Sequence, residues 1–396
     1  MECKWSQAPL GELISYISKG IVPKYTDDIV GSTIVLGQRC VRNQRVDYTQ
    51  ARFHDQKTKP FKPEKTVALG DILINATGVG SAGRVAQVTV SPQQNCVTDG
   101  HVITLRAKGI NPFYLGYFLK SRQSMIEQMA EGSTGQTEMD RSRLQNEIVV
   151  TFPQDNAAQT AIAQFGLSVD RKIAINNQIN GYLAAMCEAI SSELCRNTDG
   201  ELKDLCSLVT DKTDRRNADL DTYVSTESLL PNKSGRQFAS SLPTTGKVTV
   251  FKSGDTLVSN IRPYFKKIWF ASEDGTCSGD VLVFRAVNPK EAPYLNACLR
   301  QDRFFDYVMR GAKGTKMPRG DKKQIMGFPI ARSCNARNLA VLGSIVKQMI
   351  RNDIESRRLT ELRDALLPKL MSGEVDVSKV GLTQLNSHLS CRRVLC

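Results

Sequence analysis

The strongest constraint on this chain is an internal repeat, because two halves that carry the same features in the same order are expected to fold as two similar units. Each half opens with a short amphipathic phrase, PLGELISYISKG from Pro9 and ELKDLCSLVTDK from Glu201. A Gly-Asp dipeptide then opens an apolar strand, LGDILINATG around Gly70 and SGDTLVSNIRP around Gly254. The phrase VTDGHVITLRA, ending at Ala107, is answered by CSGDVLVFRA, ending at Ala286. Each leads into a helical segment with proline near its start, NPFYLGYFLKSRQSMIEQMA and APYLNACLRQDRFFDYVMR. Glycine-flanked polar loops follow, in which Gly132 and Gly135 correspond to Gly311 and Gly314, and Phe152-Pro153 is matched by Phe328-Pro329. A chain of 396 residues has room for two or three domains of about 150 residues each.

After each Phe-Pro the pattern changes to helical periodicity. From Asn156 to Ile190 the apolar positions Ile162, Phe165, Val169, Ile173, Ile179, Leu183, Met186 and Ile190 advance mostly by three or four. From Ala336 to Met371 the set Leu342, Ile345, Met349, Leu359, Leu362, Leu366 and Leu370 does the same. Such stripes bury one face against a partner helix. Each run of about 35 residues predicts a helix about 50 Å long, and two of them pack most simply on each other antiparallel. Asn176, Asn177, Gln178 and Asn180 interrupt the first stripe, as Asn352 and Asp353 interrupt the second. These polar residues either fix register within the seam or face solvent. The expected architecture is α+β: two pseudo-symmetric strand-rich domains over residues 1–155 and 196–335, separated by two long antiparallel helices over residues 156–195 and 336–375. The helices form a coiled-coil-like spacer, and residues 376–396 form a terminal tail.

Composition narrows the chemistry. Fifty-three Lys and Arg against 40 Asp and Glu give a net charge of +13, which favours a polyanionic partner such as nucleic acid. Eleven cysteines lie scattered without a Cys-x-x-Cys pair, and only His54, His101 and His388 could join them, so no metal site is expected. No apolar run is long enough to cross a bilayer, and the start MECKWSQAPLGEL lacks a signal-peptide core; a cytoplasmic protein without membrane contact is expected. The stretch GVGSAG matches Gly-x-Gly-x-x-Gly, yet the sequence after Gly83 alternates as a strand, with no helix to meet a pyrophosphate. It reads as a loop between two strands. NPFY, from Asn111 to Tyr114, imitates the base-holding motif of adenine-N6 methyltransferases but lacks its second proline; a helix start explains it better. No catalytic residues and no cofactor are assigned to this chain.

The repeated set, with Gly-Asp-Ile-Leu-Ile, Gly-Ser-Thr-Gly-Gln and the phrase LRDALLPKLMSGEVDV at the end of the second helix, resembles the specificity subunits of Type I restriction-modification systems from Trp5 to about Val377. The resemblance implies two target-recognition domains that each read one half of a bipartite double-stranded DNA target, and two helices that act as a ruler. It also implies two modification (methyltransferase) subunits docked on the helices, which would hold S-adenosylmethionine, and separate restriction (motor-nuclease) subunits. The alternatives are a stand-alone adenine-N6 methyltransferase, a lone DNA-binding repressor, or the specificity subunit of a Type IIB-like system.

The residues expected to touch DNA are the cationic and amide side chains that gather in the loops. Arginine can grip guanine, amides can grip adenine, and lysine mostly meets phosphate. In the first half these are Gln38, Arg39, Arg42, Asn43, Gln44 and Arg45, then Arg84, then Ser133, Thr134, Gln136, Arg141 and Arg143. In the second they are Lys212, Arg215 and Arg216, then Asn260, Arg262, Lys266 and Lys267, then Lys313, Lys316, Arg319, Lys322 and Lys323. The GVGSAG loop is expected to face the DNA backbone.

Overall fold

A computed structural model describes residues 4–130 and 138–376. The chain divides into two compact units whose boundaries fall inside the two long helices: one takes the chain up to Ile173 and again from Arg358, the other takes Ala174–Arg357.

In the first unit the central sheet has the order Ile14–Lys19, Val102–Ala107, Ile72–Asn75, Val85–Gln87, with every pair antiparallel. The run Ile72-Leu73-Ile74 is buried throughout because the sheet is covered on both faces. Side chains alternate across a strand, so Ile72 and Ile74 enter one core with Ile103, Leu105 and Tyr114, while Leu73 enters another with Leu36, Ala86 and Val102. A second sheet, ordered Cys96–Thr98, Thr33–Leu36, Arg52–His54, Tyr25–Thr26, covers that other face. Strands Trp5–Pro9 and Val149–Pro153 pair separately, antiparallel.

The second unit repeats this central sheet strand for strand, as Cys206–Leu208, Val281–Ala286, Thr256–Ser259, Ile268–Phe270. Its alternation is the same. Val258, Leu282 and Phe284 enter one core, and Leu257, Val281 and Val283 the other. The covering sheets differ. Both contain a parallel pair, Thr33–Leu36 with Cys96–Thr98 in the first unit and Tyr223–Val224 with Gly275–Cys277 in the second. The first unit extends that pair beyond its earlier strand; the second extends it beyond its later one, through Lys247–Phe251 and Lys212–Asp214.

The repeated Gly-Asp and Arg-Ala phrases prove to be two halves of one interaction. Asp71 accepts from Arg106 Nε at 2.8 Å and Nη2 at 2.7 Å across neighbouring strands. Asp255 accepts from Arg285 in the same bidentate way, at 2.8 and 2.6 Å. Each aspartate also accepts a backbone N–H three residues earlier, from Ala68 and Lys252 respectively. Both carboxylates are buried, so the guanidinium fork is what makes their charge tolerable there.

NPFY is a helix start. Asn111 accepts from the N–H groups of Phe113 and Tyr114 at the head of helix Pro112–Ser121, and proline occupies the first turn. Tyr114 donates to the carbonyl of Thr151 at 2.8 Å, and its counterpart Tyr294, on helix Ala292–Arg300, donates to that of Ala331 at 2.8 Å.

The long helices are Asn156–Leu194 and Ala336–Ser372. In the first unit Ile162, Phe165, Val169 and Ile173 share one core with Leu359, Leu367, Leu370 and Met371. In the second, Leu342 and Ile345 share a core with Cys187, against which Leu183 and Ile190 pack. Hydrogen bonds in this unit run in opposite senses along the two helices, Asn176 reaching Ser356 and Asn180 reaching Asp353, so the pair is antiparallel. Ile179, Met186 and Leu362 depart from the expected seam. They are 37%, 50% and 37% exposed, because these helices carry apolar residues on more than one face.

Candidate nucleic-acid interface

In the first unit the strands Ile72–Asn75 and Val85–Gln87 are joined by the GVGSAG loop, as a hairpin connection. Its glycines have distinct tasks. A Cβ at Gly83 (φ 84°) would fall 2.5 Å from Glu127 Cα, so this glycine is required by a neighbouring helix. Gly80 (φ 68°) has open space around it, and Val79 beside it is 79% exposed. Only the loop tip is therefore available to a partner.

Three segments meet at this edge. Gln38 Nε2 donates to the carbonyl and hydroxyl of Thr77 at 2.7 and 2.5 Å, and Met139 N–H donates to the Ala76 carbonyl at 2.7 Å. Arg84 folds back onto the Gly80 carbonyl at 2.6 Å. Arg39 and Arg141 are exposed. Arg143 donates to Glu147 at 2.7 and 3.0 Å and to the Met129 carbonyl at 3.0 Å, so a carboxylate already holds it. Ser133, Thr134 and Gln136 lie outside the described residues.

Arg42, Asn43, Gln44 and Arg45 belong to a separate hairpin. Asn43 and Gln44, at φ 52° and 59°, form its turn and leave Arg42 and Asn43 exposed. The returning strand faces the protein: Gln44 Nε2 donates to the Lys120 carbonyl at 3.2 Å, and Arg45 lies 3.8 Å from Asp170. Behind it is a buried ionic cluster that sequence reasoning missed. Arg363 and the Tyr117 hydroxyl both donate to Asp170, at 2.5 and 2.7 Å. Burial opposes the Asp170 charge, but Lys120 and Arg363 overcome it and hold the carboxyl below its ordinary range. Burial also pushes Lys120 down to about 8.

The second unit draws together the loop after Thr256–Ser259 and the loop after helix Asp302–Arg310. Arg262 N–H donates to the Pro318 carbonyl at 2.8 Å, and Lys313 and Arg319 exchange both backbone hydrogen bonds at 2.9 Å. Gly320 N–H reaches the Asn260 carbonyl at 3.4 Å. Asn260 is itself buried, and its Oδ1 and Arg262 Nε have no hydrogen-bond partner. Carboxylates hold several of the cations: Arg319 on Asp280 at 3.0 and 3.3 Å, Lys313 on Asp321 at 3.0 Å, and Lys266 on Asp302 at 2.9 Å. Hydrogen bonds from Lys233 and Lys266 lower the Asp302 carboxyl, and that from Lys313 lowers Asp321. Exposed pairs of this kind contribute about 0–1 kcal/mol each, so a phosphate can replace the carboxylate at little cost. Lys267 Nζ donates to the Thr226 carbonyl at 2.5 Å, while Lys316, Lys322 and Lys323 are exposed.

Lys212 and Arg215 stand elsewhere, on and just after the edge strand of the covering sheet. Arg215 reaches the Pro243 carbonyl at 3.5 Å and Arg216 folds back onto Asp214 at 3.0 Å.

Residues 3–184, which hold the first central sheet, its covering sheet and much of the first long helix, match the family described as Type I restriction modification DNA specificity domain. This stretch is similar to that family. The asparagine of the NPFY phrase, within that stretch, is occupied as a helix cap. No curated protein matches the chain. Among solved structures, the chain is similar to the Type I restriction-modification S subunit from M. genitalium, at 15% identity and a TM-score of 0.48, covering 93% of this chain and 96% of that one. It is also similar to the HsdS subunit from Thermoanaerobacter tengcongensis, at 14% identity and a TM-score of 0.35, covering 94% and 97%. The specificity-domain match ends at residue 184, yet the second unit repeats the same central sheet, Asp–Arg fork and tyrosine contact within the chain itself. Among the described residues, no helix is long and apolar enough to cross a membrane and no group of side chains is arranged to hold a metal.

Proposed function

We propose that this chain is the DNA-recognition subunit of a Type I restriction-modification complex, in which each unit reads one half of a bipartite double-stranded target. The observation that carries this reading is the recurrence, in the second unit, of the architecture that the family match assigns to DNA recognition in the first. The covering sheets and loop sets differ between the units, as expected of two domains reading different sequences.

The long helices, each shared by both units, set the gap between half-sites in this proposal. They also dock two modification subunits, which hold S-adenosylmethionine, and the assembled complex recruits the restriction subunits. An outward apolar stripe on the first helix, Ile175, Ile179, Tyr182 and Met186, supports the docking role; residues at this spacing share one helix face. The DNA-contacting set is the exposed group Arg39, Arg42, Asn43 and Arg141 in the first unit. In the second it is Lys316, Lys322 and Lys323, with Arg319, Lys313 and Lys266 released from their carboxylates on binding. Single-molecule methylome sequencing of cells carrying this chain and its modification subunit tests the proposal. A split methylated motif with an unread gap is expected; a contiguous motif, or none that depends on this chain, overturns it.

A further inference from the structure

One turn of the second unit holds two adjacent aromatic side chains in water. Tyr264 and Phe265 are 48% and 40% exposed, with ring centroids 4.7 Å apart, at the turn between strands Thr256–Ser259 and Ile268–Phe270. Exposure on a loose loop would mean little. This turn is held at several points. Arg262 donates its N–H to Pro318, the Phe265 carbonyl accepts from Asn232 at 2.9 Å, and the Lys266 carbonyl accepts from Lys233 at 2.8 Å. Both ends are non-glycine residues in the left-handed region, Arg262 at φ 49° and Lys266 at φ 51°. Such a conformation costs free energy and persists where surrounding contacts enforce it. The result is a rigid apolar tip that folding does not bury.

Its surroundings identify the partner. Cations flank the tip within the turn, Arg262 and Lys266, and on the adjoining loop, Lys313, Lys316 and Arg319, where Met317 is also exposed at 42%. A protein partner's apolar surface would be poorly matched by that cationic rim, whereas a DNA duplex offers phosphates to the rim and stacked bases to the tip. The corresponding turn of the first unit ends in Gly78-Val79-Gly80, so the two units differ here in kind.

We infer that Tyr264 and Phe265 form an apolar contact with the bases of the half-site read by the second unit, while the surrounding cations engage its phosphates. The inference rests on the proposed function. An apolar base contact differs from a phosphate contact in one measurable way. Losing a phosphate contact flattens the dependence of log affinity on log salt by about one unit, and losing a base contact leaves that slope alone.

The test uses the full chain assembled with its modification subunit and duplexes carrying both half-sites, the first only, or neither, titrated across a salt series. For the double variant Tyr264→Ser/Phe265→Ser, affinity for the full target should fall about tenfold or more, with the salt slope unchanged and binding to the duplex without half-sites unaltered. The variant Tyr264→Leu/Phe265→Leu, which keeps an apolar tip, should retain most of the affinity. Equal thermal unfolding of the two variants and the wild type confirms that the fold is intact. Wild-type affinity for the full target, or a loss shared equally by all duplexes with a flatter slope, overturns the inference alone. If the unaltered complex does not discriminate between the duplexes, the proposed function itself fails.

Discussion

The residue most informative about the fold is an aspartate whose partner lies on another strand. Asp71 and Asp255 follow corresponding glycines, and Arg106 and Arg285 precede corresponding alanines, so an acid and a base recur together in the two halves. That joint recurrence was legible. Their pairing was not, since it depends on which strands become neighbours, and the register setting Leu105 opposite Ile72 is a tertiary fact. Replacing Arg106 with Ala leaves the buried Asp71 charge without its fork and should lower stability by about 3–5 kcal/mol in urea unfolding of the chain. Replacing both residues with Leu should cost clearly less than Arg106→Ala alone, because no orphaned charge remains. Equal losses would show that the arginine acts through packing of its stem. The expected DNA-contacting cations were obscured for a related reason: Arg319 is held by Asp280 and Arg143 by Glu147, and composition cannot say which arginines already have a carboxylate.

At the scale of elements, periodicity located both long helices but misassigned part of one face. Ile179 and Met186 advance by the same threes and fours as the buried residues, and a helix with two apolar faces gives one merged pattern. The polar interruptions were likewise undecidable from sequence, because a seam asparagine and a solvated one are spelled alike. In the structure Asn176, Asn180, Asn352 and Asp353 are inside, whereas Asn177 and Gln178 are exposed. Asn176 Nδ2 donates to Glu355 Oε2 at 2.8 Å, Asn352 Nδ2 to Asn180 Oδ1 at 2.8 Å, and Asn180 Nδ2 to Asp353 Oδ1 at 2.6 Å. Burial raises the Asp353 carboxyl to about 6, despite the opposing charge of Arg357 and the Asn180 hydrogen bond. These bonds fix which turn of one helix faces which turn of the other. The outward stripe is then free for a partner. Tyr182→Glu combined with Met186→Glu should reduce co-purification of the modification subunit at least about tenfold, since burying two unpaired carboxylates opposes docking, while the chain's own melting temperature stays within a few degrees. Undiminished co-purification would place the docking surface elsewhere.

For the whole molecule, the repeat links sequence to function because it separates what is held constant from what varies. The central sheet, its Asp–Arg fork and the tyrosine contact recur, whereas the covering sheet and the turn tips do not. A scaffold kept the same beside a surface allowed to differ is the arrangement that the proposed two-part target would require. In the proposed function the spacing between the parts comes from the elements common to both units, the helices Asn156–Leu194 and Ala336–Ser372. Lengthening one helix alone would shift Asn176 and Asn180 against Asn352 and Asp353 and break their hydrogen bonds, so matched insertions are needed, after Ile173 and after Arg357. Four added residues in each extend a helix by about 6 Å and rotate the chain beyond the insertion by about 40°, against a rise of about 3.4 Å per DNA base pair. The expected outcome, read from the methylated motif of the altered complex, is a gap longer by about one or two base pairs with both half-site sequences unchanged. An unchanged gap, or altered half-sites at the original gap, would mean that the helices do not measure the target.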